Sequence, residues 1–366
     1  MSIIIAPDSF KGSLSAQEFC AVLKPFCQER APGEKVLCLP LADGGEGTLD
    51  CVLSATGGKK EYFDTVDALG EAIRAPVGFL PDGGAVIEVA TVIGLPQLKG
   101  QEDPMKASTY GLGLLIQSAI ARGAKSITLT LGGSATNDLG LGMLAALGWE
   151  FMDENGEEVD PCGGAMETVA KILPPTDPVY KNVEFSAMCD VKNPLLGNEG
   201  CAAIYAPQKG ASPADVARLE AGAKNVATLW GDGGDTPGAG AAGGLGYACL
   251  HFLGGQLRPG IEEVLRLYRF DELLKDCRLL ITGEGCFDGQ SAMGKAVGTL
   301  IQKSAPVPAV VFAGMVKPFD RSLYPNLKEI FAISEGIPLE VALKTGAENL
   351  RRSFNDSKLP YPYVSV

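Results

Sequence analysis

The sequence predicts an α/β protein: a doubly wound parallel-sheet domain built from both ends of the chain, with a mixed α/β domain inserted between them. Six short apolar segments are continuous rather than alternating, as strands buried on both faces of a parallel sheet require. Stretches of helical length and pattern separate several of them, and that alternation places ligand loops at the carboxyl ends of the strands. A third observation, the closely spaced, turn-rich run at 60–100, marks a region of different architecture. For 366 residues, about two domains are expected at roughly 150 residues each. The boundaries are read as 1–60 with 270–366 for the first domain and 61–269 for the inserted one.

In chain order, Ile3–Ala6 is the first buried strand, and a helix over 15–30 follows. Ser13 or Ser15 serves as its N-cap, with Glu18 in the first turn. Val36–Leu39 is the second strand. Tyr62–Val66, Arg74–Leu80 and Ala85–Val89, separated by turn clusters such as Pro81-Asp82-Gly83-Gly84, read as antiparallel hairpins. Strand Ile127–Leu131 lies between helices over 108–122 and 139–148. The stretch 184–206 is strand-like with loops, including Phe185–Met188 and Ala202–Tyr205, and 212–230 is helical. Gly231–Pro237 is a loop, because the apolar pattern resumes beyond it. Strands Leu279–Thr282, Ala309–Ala313 and Ile330–Ile333 alternate with helices over 293–303 and 338–352.

Composition excludes several functions. A formal charge of −13 and a pI near 4.7 argue against nucleic acid or an anionic membrane as partner. The ten cysteines include no C-x-x-C pair, so neither a zinc ribbon nor a thioredoxin motif is available. They fit free thiols in a reducing compartment. The N-terminal segment has no basic start followed by an apolar run, and no stretch approaches the ~18 apolar residues of a membrane span. A cytoplasmic protein is expected. The single histidine, His251, sits in the apolar stretch Tyr247–Leu253 and reads as structural, so any acid–base chemistry falls to carboxylates or lysines.

The polar loops after the strands carry the chemistry. They are Ala6–Ser13, Leu41–Thr48, Gly132–Asp138 and Gly283–Ser291, each combining glycines, hydroxyls and an acid. Glycines let backbone N–H groups approach an anion, and a helix start adds its positive dipole end. Their acids suit magnesium, which binds through one or two carboxylates plus phosphate oxygens. For one such loop a tight strand-to-helix turn would suffice as an explanation; four in one chain ask for more. Asp190, in Cys189–Gly197, suits a general base or magnesium ligand, although Asp190-Val191-Lys192-Asn193-Pro194 also reads as an Asx-type turn. Lys209, in Ala206–Ala211, suits a phosphate or carboxylate contact, or a solvated surface position. Two matches are discounted. Gly238–Gly243 fits G-x-G-x-x-G, yet no strand feeds it. Gly289–Lys295 fits the front of a phosphate loop, but Ala296 stands where the magnesium-binding hydroxyl belongs.

Taken together, these segments closely resemble the bacterial type-1 glycerate kinases over nearly the whole chain. The motifs run in order: APDSFKGSLSA at 6–16, LADGGEGT at 41–48, GGSATND at 132–138, CDVKNPLLGNEG at 189–200, PQKGA at 207–211, GAGAAGGLG at 238–246 and TGEGCFDGQSAMGK at 282–295. The resemblance implies ATP-dependent phosphorylation of D-glycerate, usually at the 2-hydroxyl, with magnesium, in the cytoplasm. It also implies a Rossmann-like domain with an inserted second domain and a cleft between them. Two departures stand out: Cys286 and Phe287 occupy positions where the family has arginine and an aliphatic residue, and Leu139 occupies a position where glycine is usual.

On that resemblance, Asp190, Lys11 and Lys209 are the expected catalytic residues. Asp8, Ser9, Asp43, Gly44, Gly45, Asn193 and Gln208 are expected to meet glycerate. Gly132, Gly133, Ser134, Ala135, Thr136, Asn137, Gly283, Gly285, Gln290, Ser291 and Lys295 are expected to hold ATP, and Glu46, Asp138, Glu284 and Asp288 to hold Mg2+. A monomer or homodimer is expected. The competing readings are a kinase giving the 3-phosphate, a kinase of a related small hydroxy acid, and a non-catalytic metabolite-binding protein. The surplus of loop carboxylates favours the enzyme.

Overall fold

Ile3, Ile4 and Ile5 are all fully buried, so both faces of the first strand are covered, as its unbroken apolar run demands. The computed structural model describes residues 1–10, 12–42, 44–45, 47–231, 234–288 and 296–360. Among them the strands are β1 (Ser2–Ile5), β2 (Lys35–Cys38), β3 (Lys59–Val66), β4 (Ala72–Phe79), β5 (Gly84–Glu88), β6 (Ser126–Thr130), β7 (Glu150–Met152), β8 (Lys171–Leu173), β9 (Glu184–Met188), β10 (Gln256–Arg258), β11 (Cys277–Phe287), β12 (Ala309–Val316) and β13 (Leu327–Ala332). The chain divides into two compact units. One comprises Met1–Asp43, Asp50–Thr56 and Ile261–Val366; the other comprises Gly44–Leu49 and Gly57–Gly260.

The first unit holds a five-stranded sheet of order β13-β12-β11-β1-β2, parallel throughout. From β1 the chain moves one way, to β2; from β11 it moves the other way, through β12 to β13. The topological switch point therefore lies between β1 and β11, where open α/β sheets bind ligands. Helix Ala16–Arg30 begins with a capping box: Ser15 Oγ accepts the Glu18 N–H at 3.1 Å, and Glu18 Oε2 accepts the Ser15 N–H at 2.9 Å. Its Phe26 packs 5.9 Å from Phe354, which lies 5.9 Å from Phe312 on β12. The helix expected over 338–352 is instead two, Leu339–Lys344 and Gly346–Asp356. Thr345 leaves helical geometry between them, and Gly346 passes so close to Ser13 that a Cβ would stand 2.3 Å from its Oγ. Ala296–Ser304 is helical, while positions 293–295 of the expected helix lie outside the described residues.

The second unit holds a six-stranded sheet of order β10-β9-β6-β5-β4-β3. Its β3–β4–β5 portion is antiparallel, and β5, β6, β9 and β10 run parallel. The apolar run at 127–131 joins this sheet as β6. A small antiparallel pair, β7–β8, stands apart from it. Ala202–Tyr205, expected as a strand, is part of helix Cys201–Tyr205. A four-residue apolar run fits either period; here Cys201 and Ala202 are buried while Ile204 faces solvent. The helix expected from 139 starts at Leu141, because Leu139 and Gly140 are both left-handed, at φ 54° and 76°. Trp149 stands edge-on to Trp230 at 5.2 Å and to Phe252 at 5.0 Å, and its Nε1–H donates to Tyr180 Oη at 2.7 Å. His251 packs its ring 4.3 Å from Tyr247. All ten cysteines are free thiols, and no described helix is long and apolar enough to cross a membrane.

Candidate active site

In the first unit the expected residues gather at the switch point. The Asp8 N–H donates to Gly283 O at 2.8 Å, and Thr282 Oγ1 donates to Ala6 O at 2.6 Å, so the loop after β1 is tied to β11, which runs on through Gly283–Phe287 where a loop was expected. Asp8 is half-buried and its Oδ1 accepts the Ser9 N–H at 2.7 Å; Ser9 is exposed. A Cβ on Gly283 would meet Phe312 O at 2.4 Å, so only glycine fits beside β12. Glu284 is buried, Gly285 and Asp288 are half-buried, and Asp288 Oδ2 accepts from Cys286 Sγ at 3.9 Å. Burial pushes the Tyr324 hydroxyl up to about 12, and the Glu284 charge pushes the same way. Lys11, Asp43, Gln290, Ser291 and Lys295 lie outside the described residues.

In the second unit several of the expected residues lie at the carboxyl edge of the parallel strands. There Glu88 closes β5, Thr130 closes β6 and Met188 closes β9, and three loops follow or abut these ends. Gly44 and Gly132 are where two of them touch. The Gly132 N–H donates to Gly44 O at 3.3 Å, and a Cβ on Gly132 would stand 3.0 Å from both Gly44 O and Gly45 Cα. Gly44, at φ +88°, also passes Met188, whose Cβ an added methyl would meet at 2.9 Å. Side chains are excluded at this junction, so the two loops approach one another backbone to backbone. Glu46 lies outside the described residues.

Lys209 lies beneath the loop Gly132–Asp138. It is only 3% exposed, because the turn Pro207–Lys209 directs it inward while leaving Gln208 at the surface. Its Nζ donates to Ser134 Oγ at 3.1 Å and to Thr136 O at 2.6 Å. Both acceptors are neutral, and burial pulls the ammonium down from 10.5 to about 8, with the Cys201 and Asp138 charges opposing that fall. Thr136 Oγ1 and Asn137 Oδ1 are buried without a hydrogen-bond partner among the described residues. A buried cation beside the unmet Thr136 hydroxyl, which can donate, suits an anion-binding loop, whereas Asn137 Oδ1 is an acceptor and calls for a donor instead. Gly133 is exposed, and Ala135 is buried.

Asp138 ends that loop, fully buried. Its Oδ2 accepts the N–H and the hydroxyl of Thr109 at 2.8 Å each and the Gly142 N–H at 3.2 Å; its Oδ1 accepts the Gly140 N–H at 3.1 Å. Burial pushes this carboxyl up, and the four donors oppose that rise. Its oxygens are thus engaged inside the protein, a poor arrangement for a metal ligand. Among the described residues no group of three or more His, Cys, Asp or Glu side chains is arranged to hold a metal. Magnesium needs only one or two carboxylates with phosphate oxygens, so Glu284 within β11 and Asp288 just past its end stay candidates.

Asp190 is exposed, and its Oδ1 accepts the Gly260 N–H at 2.8 Å. Asn193 is spent on its own loop: Nδ2 donates to Glu199 O at 2.8 Å and Oδ1 accepts from Tyr205 Oη at 2.7 Å. The glycine run 238–246 buttresses these loops. A Cβ on Gly240 would stand 2.2 Å from Pro194 O, and one on Gly243 would stand 2.1 Å from Thr136 O. Leu139, buried in the left-handed region, donates its N–H to Gly243 O at 3.0 Å, which is where a glycine would sit without strain.

Motif reading passed over Glu88, whose carboxyl accepts the Gly47 and Leu49 N–H groups at 3.1 and 3.0 Å, and Thr109, which holds Asp138. Glu88 had a signal, an acid at the end of an otherwise apolar strand; Thr109 had none.

A model of the glycerate kinase family matches residues 3–357. A glycerate kinase of Bacillus subtilis (strain 168) is 39% identical, covering 97% of this chain and 96% of its own. A glycerate 2-kinase of Escherichia coli (strain K12) is 40% identical, covering 86% and 85%. The crystal structure of a protein from Salmonella typhimurium LT2, assigned as a glycerate kinase 2, superposes with a TM-score of 0.85 at 37% identity, covering 97% of this chain and 96% of that one.

Proposed function

This chain belongs to the glycerate kinase family and is a phosphotransferase acting on an alcohol group, and we propose that it phosphorylates D-glycerate at the 2-hydroxyl with ATP, giving 2-phospho-D-glycerate in the cytoplasm. The observation that best supports an anionic ligand here is the buried Lys209 ammonium under the Gly132–Asp138 loop. Phosphoryl transfer asks for in-line positioning and neutralised charge rather than covalent chemistry.

In this reading Gly132, Gly133, Ser134, Ala135, Thr136 and Asn137, with Gly283, Gly285, Gln290, Ser291 and Lys295, cradle the nucleotide phosphates. Asp8, Ser9, Asp43, Gly44, Gly45, Asn193 and Gln208 orient glycerate. Asp190 takes the proton of the 2-hydroxyl as the phosphoryl group arrives, and Lys11 and Lys209 offset the carboxylate and the developing charge. Magnesium, when bound through Glu46, Glu284 or Asp288, supplies further charge neutralisation at the phosphates. Asp138 belongs with the positioning residues, since Thr109, Gly140 and Gly142 occupy its oxygens.

The test is ADP release from Mg-ATP with D-glycerate, against L-glycerate and no-acceptor controls, with phosphorus NMR of the product. D-glycerate-dependent release giving the 2-phosphate is expected. A 3-phosphate product would overturn the position, and release independent of acceptor would overturn the substrate.

A further inference from the structure

Two thiols of the first unit meet. β1 and β2 run parallel with Ile5 opposite Cys38, so both side chains leave the same face of the sheet. They pack there with Cys20 of helix Ala16–Arg30. The Cys20 sulfur stands 3.7 Å from Ile5 O, the same oxygen that accepts the Leu39 N–H at 2.8 Å. Its S–H also donates to the Cys38 sulfur. The two differ in access: Cys20 is 5% exposed, whereas Cys38, the last residue of β2, is half-buried. The bond from Cys20 draws the Cys38 thiol below its ordinary value; burial opposes this, and the Lys24 charge adds to the fall. The other cysteines are placed differently. Cys189 Sγ donates to Val191 O at 3.2 Å, Cys277 Sγ to Leu279 O at 3.4 Å and Cys286 Sγ to Asp288 Oδ2 at 3.9 Å. Cys51 Sγ accepts from Gln17 Nε2 at 3.0 Å. Burial pushes Cys27, Cys201 and Cys249 each up to about 12.

We infer that Cys20 and Cys38 form a modification site, a dithiol that hydrogen peroxide closes into a reversible disulfide between the helix and β2. An accessible thiol with a second thiol beside it is the arrangement of redox-sensing cysteines. Cys38 reacts first, as thiolate: its sulfur attacks one peroxide oxygen, the S–O bond forms, the O–O bond breaks, and hydroxide leaves to take up the proton that the thiol had released. Cys20 then gives up its proton and attacks the Cys38 sulfur. The S–S bond forms, the S–O bond breaks, and the departing hydroxide leaves with that proton as water. Two thiols are oxidised and one peroxide is reduced to two waters. A small thiol reverses the step by exchange. Cys27, buried on the same helix and in the same apolar cluster, is the inert neighbour. No substrate enters this chemistry, so it is independent of the proposed phosphoryl transfer.

The experiment takes the intact chain, fully reduced and freed of reductant, and treats it with hydrogen peroxide under native conditions. Remaining thiols are blocked, and the unreduced peptides are mapped by mass spectrometry. The expected product is a peptide pair linked through Cys20 and Cys38, lighter by two hydrogen atoms than its separate parts and split again by dithiothreitol, with Cys27 still reduced. In Cys20→Ser the first intermediate should persist at Cys38 and be trapped by dimedone as a sulfenic acid adduct. In Cys38→Ser, oxidation at Cys20 should slow at least about tenfold. A link from Cys38 to Cys51 instead, a 20–38 link that forms only after denaturation, oxidation confined to other cysteines, or no dimedone adduct at Cys38 in C20S overturns the inference. Should either variant fail to fold, the wild-type map decides alone: a native 20–38 link supports the site, and its absence overturns it.

Discussion

Replacing Lys209 with methionine separates a residue that serves catalysis from one that serves folding. In the native chain the ammonium titrates at about 8 rather than 10.5, a gap worth about 3 kcal/mol against the folded state while the group is charged. Methionine lifts that penalty but leaves Thr136 O and Ser134 Oγ without their donor, and each buried acceptor so stranded costs about 1–3 kcal/mol. The two effects oppose, about 2–6 kcal/mol lost against about 3 regained, so K209M should unfold within about 3 kcal/mol of wild type at pH 7 by urea titration. Turnover should fall roughly 10²–10³-fold, the usual effect of losing one charge-stabilising donor. The pH dependence has a definite sign. Because the folded-state pKa is depressed, the native protein binds fewer protons than the unfolded chain between about 8 and 10.5. The penalty is fully present below about 8, and native stability gains as pH rises through the window. The wild-type minus K209M stability difference should therefore move about 3 kcal/mol toward wild type across it. A difference flat with pH, or turnover within about threefold of wild type, would refute this account.

Three further outcomes can be measured. Asp190→Asn keeps an oxygen for the Gly260 N–H, so Tm should hold while turnover falls by about two orders of magnitude or more; near-wild-type turnover would remove Asp190 from the role of base. Leu139→Gly relieves about 1–2 kcal/mol of left-handed strain but empties a fully buried site worth about 2–5 kcal/mol, so urea titration should show net destabilisation. Gly243→Ala places a methyl 2.1 Å from Thr136 O at φ +71°, so loop Gly132–Asp138 must move. Activity should then fall even where circular dichroism is native.

The capping box at Ser15 and Glu18 was readable because both partners lie within one turn. The run at 127–131 was readable as a buried strand, but a continuous apolar segment does not encode which sheet receives it. Ala202–Tyr205 was misread because four apolar residues satisfy both periods, and packing alone made them helical. Lys209 stood out by its motif, yet nothing local showed that its ammonium would be buried under a loop some seventy residues away. Two of the four donors around Asp138 come from Thr109, distant in the chain, and the other two from Gly140 and Gly142. An acid that looks like a ligand in a motif can thus be an internal fastener in three dimensions.

The chain has two tryptophans, and Trp149 and Trp230 share one cluster in the second unit. Intrinsic tryptophan emission is therefore blind to the first unit, whose aromatic residues are phenylalanine and tyrosine. Followed beside circular dichroism during denaturation, the indole signal reports the melting of one unit while the amide signal reports both. Coincident curves would mark a single cooperative transition, and displaced curves would give each unit its own midpoint.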